Sequence, residues 1–179
     1  MKAIDVHNHI VPSEFPSGAS FSTVAKWPYM CHRGDGKASI MIGGKEFRAL
    51  DNRSWGLQRR IADTDLDGID MQVISPMPEL LSYWFKPEHA LTIARHVNRA
   101  ISDMVTTTPD RFLGCGLVPL PEPGITANEL ASLRSEYNFV GIEIDCNIGG
   151  RPHDDQHANE PNDDRRPAVH AYLLAKQRP

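Results

Sequence analysis

The chain alternates short, almost continuously apolar runs with stretches whose apolar residues recur every three or four positions. Ala3 to Ile10 is the first apolar run and reads as a strand. Residues 57–67 follow helical spacing, with Leu57, Ile61 and Leu66 near one face and Gly68 as a natural C-terminal cap. Met71 to Ser75 reads as a second strand, stopped by Pro76 and Pro78. Residues 87–107 form the clearest helix: Ala90, Ile93, Ala94, Val97, Ile101, Met104 and Val105 keep the helical period, and Pro87 sits at the entry. Phe112 to Val118 is a third strand closed by Pro119, residues 125–137 a third helix with Leu130 and Leu133 inward, and Phe139 to Ile144 a fourth strand. Residues 11–56 read as irregular apart from a small hairpin, in which Ile40–Ile42 and Glu46–Ala49 flank a Gly43-Gly44 turn. An excursion this long after a first strand is usually functional in a compact domain. The order β, long loop, α, β, α, β, α, β predicts an α/β fold with a parallel sheet. After Ile144 the pattern stops, and the remaining residues, dense in acids, arginine and proline, read as a poorly ordered tail.

Composition narrows the function more than the fold. A chain of 179 residues is long enough for one domain with a real core. A formal charge of -4 argues against a nucleic-acid binder. No run approaches the length of a membrane span, and the N-terminus lacks the regions of a signal peptide. Cys31, Cys115 and Cys146 form no CxxC pair, so neither a disulfide framework nor a cysteine zinc site is indicated. A cytoplasmic, reducing location is the simplest expectation.

The strongest candidate chemistry lies in the first strand, which carries His7 and His9. Residues i and i+2 of a strand share a face, so both imidazoles leave it side by side, as two ligands of one metal ion must. Imidazole suits zinc and other transition metals. The alternative is a pair of surface or hydrogen-bonded histidines. Asp5, on the same predicted face, is either a carboxylate that orients an imidazole or a polar group near the sheet's floor.

Several local signatures line up in order: Asp5-Val-His-Asn-His-Ile-Val-Pro12, Phe47-Arg48, Gly68-Ile-Asp-Met-Gln-Val-Ile-Ser-Pro76, Ser82-Tyr-Trp84, Arg111-Phe-Leu-Gly114 and Gly141-Ile-Glu-Ile144. Together, over roughly residues 1–152, they resemble the aminocarboxymuconate-semialdehyde decarboxylase group of the amidohydrolase superfamily. The resemblance implies a TIM-type (β/α)8 barrel with a divalent metal, usually zinc, at the C-terminal mouth of the strands. It implies His7 and His9 as metal ligands and Arg48 as the group that holds a substrate carboxylate. It further implies a fifth-strand histidine and an eighth-strand aspartate completing the site, and a sixth-strand histidine in proton transfer. The implied chemistry is non-oxidative decarboxylation of an unsaturated or aromatic acid, with hydrolysis by relatives of the same fold as the alternative.

Such a barrel takes about 250 residues. The chain shows about four βα units, so the expectation is the N-terminal half of the barrel over residues 1–150, with a loop and hairpin insertion at 11–56. Residues 151–179 are expected to be disordered, with the look of a frame shift or premature stop. His170 is the one candidate for a fifth-strand histidine, and the proton-transfer histidine is expected beyond the chain end. An inactive half-barrel or interaction fragment is the reading from another class, and a homodimer is possible for a complete protein. Trp84, with Tyr83, Phe85 and Met77, follows the second strand and either walls a pocket for a flat acid or packs the next helix. Arg53 is a second candidate for the carboxylate. Glu143 is read as a polar core position, slightly ahead of a place near the metal. His32, His89 and His96 read as loop or surface histidines, and His153 and His157 as tail residues without a specific role.

Overall fold

The computed structural model describes residues 2–81, 83–145, 147–148, 151–152 and 169–173. Strand β1 (Ile4–Ile10) is followed by a four-residue helix α1 (Ala19–Ser22) and three strands, β2 (Pro28–Gly34), β3 (Lys37–Ile42) and β4 (Lys45–Asp51). Helix α2 (Leu57–Leu66) leads to β5 (Met71–Pro76), α3 (Pro87–Thr107), β6 (Phe112–Gly116), α4 (Pro123–Ser135) and β7 (Gly141–Asp145). Short strands β8 (Asn147–Ile148) and β9 (Arg151–Pro152) pair with each other, and β10 (Val169–Leu173) returns to the main sheet.

The main sheet has the order β1-β5-β6-β7-β10. Its first four strands run parallel, each joined to the next through a helix, as the alternating pattern predicts. This is the curled half of a TIM-type α/β barrel. β10 runs antiparallel to β7, with Val169 opposite Asp145 and Leu173 opposite Gly141. His170 is therefore not on a fifth parallel strand, because a parallel crossover would bring the chain back in the same direction as β7, whereas β10 runs against it. Residues 153–168 and 174–179, with His153 and His157, lie outside the described residues.

The long helix behaves as its periodicity requires. Ala90, Ile93, Ala94, Val97, Ile101 and Met104 are buried along one face of α3. They pack against Ile74, Phe112 and Leu117 in one continuous core. Helix α2 differs from expectation. Leu57 and Ile61 are partly buried, but Leu66 is 86% exposed, and the buried positions are Arg60 and Thr64. The reason is a polar network beneath the helix. Arg60 donates to the carbonyls of His9 (2.9 Å) and Arg53 (3.1 Å) and to Gln72 Oε1 (3.2 Å). Gly68, with φ of 69°, terminates α2 as predicted.

Residues 11–56 are more regular than their proline and glycine content indicates. The expected hairpin is present, and Gly43 and Gly44 both take positive φ, as a tight hairpin turn demands. A further strand, β2, pairs antiparallel with β3 and completes a three-stranded sheet. Its signal was the Asp35-Gly36 turn, also at positive φ. The histidines expected to be bland fasten this region down. His32 Nε2 bonds the Ser13 carbonyl at 2.8 Å, and His96 Nε2 bonds the Glu14 carbonyl at 2.7 Å. The His89 ring lies edge-on to Trp27.

β6 runs so close to its cover that two glycines are obligatory. A Cβ on Gly116 would lie 2.7 Å from Leu133 Cδ2 and 2.8 Å from Phe139 Cδ2, both in buried side chains. Gly116→Ala is expected to cost about 1–3 kcal/mol, read as a lowered urea midpoint. Gly124→Ala, in α4 with nothing within 4 Å, is expected to stabilise by about 0.5–1 kcal/mol. Between these strands and helices the Cys115 thiol is 1% exposed, and burial pushes its pKa up to about 11. Iodoacetamide is therefore expected to modify the exposed Cys31 and leave Cys115 unmodified in the folded protein, as peptide mass spectrometry would show. Equal rates at the two would contradict this packing.

Candidate metal and carboxylate site

The C-terminal ends of β1, β5 and β7 point the same way, and the candidate residues gather there. A bulge between Asp5 and Asn8 adds a residue to β1 relative to β5, after which His9 sits opposite Ser75. From His7 onward the alternation is regular, and both imidazoles face the same side. Their Nε2 atoms meet at 3.2 Å, with the rings edge to face at 82°.

The tautomer of His9 follows from its neighbours. Its Nδ1 lies 3.0 Å from the Pro76 carbonyl, which can only accept, so Nδ1 carries the proton. Ser75 Oγ is 3.1 Å from the same nitrogen. The Nε2 lone pair therefore faces His7. Burial, then the charge of His7, holds the His9 pKa below the usual imidazole value, so this ring favours the neutral, ligating form. The 3.2 Å between the two Nε2 atoms is close enough for both to reach one small divalent ion. A ring nitrogen tied back to a backbone carbonyl is what a metal-bound histidine normally shows. The residues thus fit a divalent cation. Among the described residues no third histidine, cysteine or carboxylate completes a closed set with them.

Asp5 does not orient an imidazole. The bulge breaks the alternation between it and His7, so its carboxylate accepts from the His7 backbone N–H at 3.2 Å instead. Glu143 is a polar core position, 2% exposed at the centre of β7, and it also lies near the histidine pair, with Oε1 3.5 Å from His9 Nδ1. Burial raises its carboxyl pKa.

Arg48 lies on β4, opposite Ile40, and donates from Nη2 to Glu79 Oε1 at 2.9 Å. Arg48 and Glu79 line one cleft of about 920 Å³, together with Phe47, Trp84, Lys26 and Asp145. Their charges also reach His9. Trp84 is 52% exposed there, with Lys26 Nζ 5.9 Å from its ring. Its neighbours on the same loop are structural. Met77 is buried, Phe85 packs against Trp27, and the Tyr83 hydroxyl accepts from the Asp145 backbone N–H at 3.4 Å. Arg53 is engaged by Asp51 at 2.6 Å and 3.0 Å and, unlike Arg48, is not among the residues that line this cleft. Sequence reasoning passed over Ser75 and Glu79. The first was signalled only by its register opposite His9, the second only by charge complementarity to an arginine distant in sequence.

Among the described residues no helix is long and apolar enough to cross a membrane. The 2-amino-3-carboxymuconate-6-semialdehyde decarboxylase of Dictyostelium discoideum is 35% identical over 152 residues, 85% of this chain and 42% of that protein. Its Caenorhabditis elegans counterpart is 29% identical over 66% of the chain and 30% of its own length. The chain thus spans less than half the length of these curated relatives. The crystal structure of 5-carboxyvanillate decarboxylase from Novosphingobium aromaticivorans, with bound manganese, matches with a TM-score of 0.53 and 33% identity, over 55% of this chain and 29% of that one. The IDCase of Metarhizium anisopliae shares the fold at a TM-score of 0.66 and 20% identity, over 87% of this chain and 45% of that one. The amidohydrolase family profile matches residues 4–171, nearly the whole length, and the chain belongs to the amidohydrolase family.

Proposed function

We propose that this chain carries the histidine pair and the carboxylate clamp of a metal-dependent decarboxylase acting on an unsaturated or aromatic carboxylic acid. The observation that carries the reading is the 3.2 Å approach of His7 and His9 Nε2, with His9 Nδ1 tied back to Pro76. Zinc suits the imidazole pair, and the manganese of the Novosphingobium enzyme is compatible with the same donors. When bound, such an ion supplies a polarised water or substrate oxygen at the mouth of the strands.

The protein's own groups bind and orient. Arg48 offers a planar guanidinium, which grips a carboxylate through two parallel hydrogen bonds. At rest it is held by Glu79, whose side chain is only 21% exposed and whose Oε2 is buried without a partner among the described residues. A substrate carboxylate therefore has to compete with Glu79 for the guanidinium. The exposed faces of Trp84 and Phe47, beside Arg48, suit a flat conjugated ring. Decarboxylation breaks the bond between ring or chain carbon and carboxyl carbon, releases carbon dioxide and requires a proton at the carbon left behind. Clamping the acid in one orientation is the part of that reaction these residues perform.

Zinc or manganese is expected to remain with the protein after dialysis at more than about a tenth of an equivalent, and His7→Ala and His9→Ala are each expected to abolish its uptake. Metal analysis showing none in the unaltered protein would sink the reading. With metal supplied, carboxylated aromatics are expected to release carbon dioxide; cleavage of amide or ester analogues without it would instead establish a hydrolase of the same fold. Arg48→Ala is expected to weaken binding of an aromatic carboxylate about 10–100-fold, read by titration calorimetry, with the fold intact.

A further inference from the structure

We propose that Glu143 is a positioning residue for the histidine pair, a buried counter-charge behind His9 that strengthens its hold on a cation. The proposal rests on the metal reading above and adds a residue to it. Glu143 is 2% exposed, yet Oε1 has no hydrogen-bond partner among the described residues, and none of the ion pairs there joins it to a lysine or arginine. Buried carboxylates kept for structure are paired or fully hydrogen-bonded, because an isolated charge in the interior is costly. Around this one, His9 Nδ1 is 3.5 Å from Oε1, Ser75 hydrogen-bonds the carboxylate and lies 3.1 Å from that same nitrogen, and the charge of His7 also acts on the carboxylate; the uncharged Tyr83 and Cys115 feel its charge as well.

The arrangement is lopsided in the absence of a cation and balanced in its presence. The Nδ1–H of His9 points into a group of acceptors made of the Pro76 carbonyl, the Ser75 hydroxyl and the Glu143 carboxylate. Two of these are neutral and fix the tautomer. The third brings negative charge to the ring's back, which raises the electron density that Nε2 offers to a metal. It also offsets the positive charge a dication brings into a half-buried place. β7 lies two strands from β5 and three from β1, and the curl of the sheet still brings Glu143 Oε1 within 3.5 Å of His9 Nδ1.

Glu143→Gln tests this, because it keeps the shape and removes the charge. Zinc affinity, measured by calorimetry with the metal alone, is expected to fall about 10–100-fold. The metal-free melting temperature is expected to stay the same or rise, since an amide is cheaper to bury than a carboxylate. Glu143→Asp, which keeps the charge but retracts it from His9, is expected to lose less affinity than the glutamine form. Zinc affinity in both variants equal to that of the unaltered protein overturns the assignment and leaves a purely structural glutamate. If the unaltered protein takes up no zinc, the metal reading and this assignment fall together; if it binds and Glu143→Gln matches it, only the assignment falls.

Discussion

The arrangement depends on one contact, the bond between the His9 ring and the carbonyl that ends β5. Because a carbonyl cannot donate, it dictates which nitrogen of His9 is protonated and which is free. Because Pro76 lies opposite Ile10 in the parallel ladder, the contact also fixes how far β1 has advanced relative to β5. Arg60 holds the same residue from beneath, through the His9 carbonyl. A histidine gripped at its ring and at its backbone has little freedom to present anything but Nε2 to the open side. His7 has a looser hold, through Asp5 on its amide. The pair therefore combines one rigid donor with one that can adjust, a sensible division for a site whose occupant must be accommodated at short range.

The broad architecture was legible because it is written in apolar periodicity. α3 buries the face its sequence marks, and the parallel strands are the continuous apolar runs. What periodicity could not show was any polar atom that earns its place in the interior. Leu66 faces solvent since Arg60 and Thr64 occupy the inner side of α2, Arg60 satisfied by the distant His9 carbonyl and Thr64 by the Arg60 and Ile61 carbonyls of its own helix. Asp5 parts company with His7 at a bulge, and a single inserted residue leaves no trace in composition. β2 hid within a region of prolines and glycines because its pairing partner, not its own sequence, makes it a strand.

The site was legible to a different degree. His7 and His9 stand together as their spacing requires, and Arg48 and Trp84 share a cleft. The sequence leaves both readings of Glu143 open, since a lone acid in an apolar strand looks the same whether it serves the fold or a neighbour. The structure adds its depth and the unpartnered Oε1. Glu79 was invisible for a similar reason: its relation to Arg48 is a matter of approach between elements far apart in sequence.

The histidine pair and Arg48 belong to separate sheets with no strand ladder in common. They are joined instead through the shared hydrophobic core and a backbone bond from the Val11 N–H to the Ser54 carbonyl at 2.9 Å. A change in the packing between the two sheets therefore moves Arg48 relative to the imidazoles while each ladder keeps its own register. The two parts answer to different constraints, one to strand pairing and the other to how tightly the core is filled.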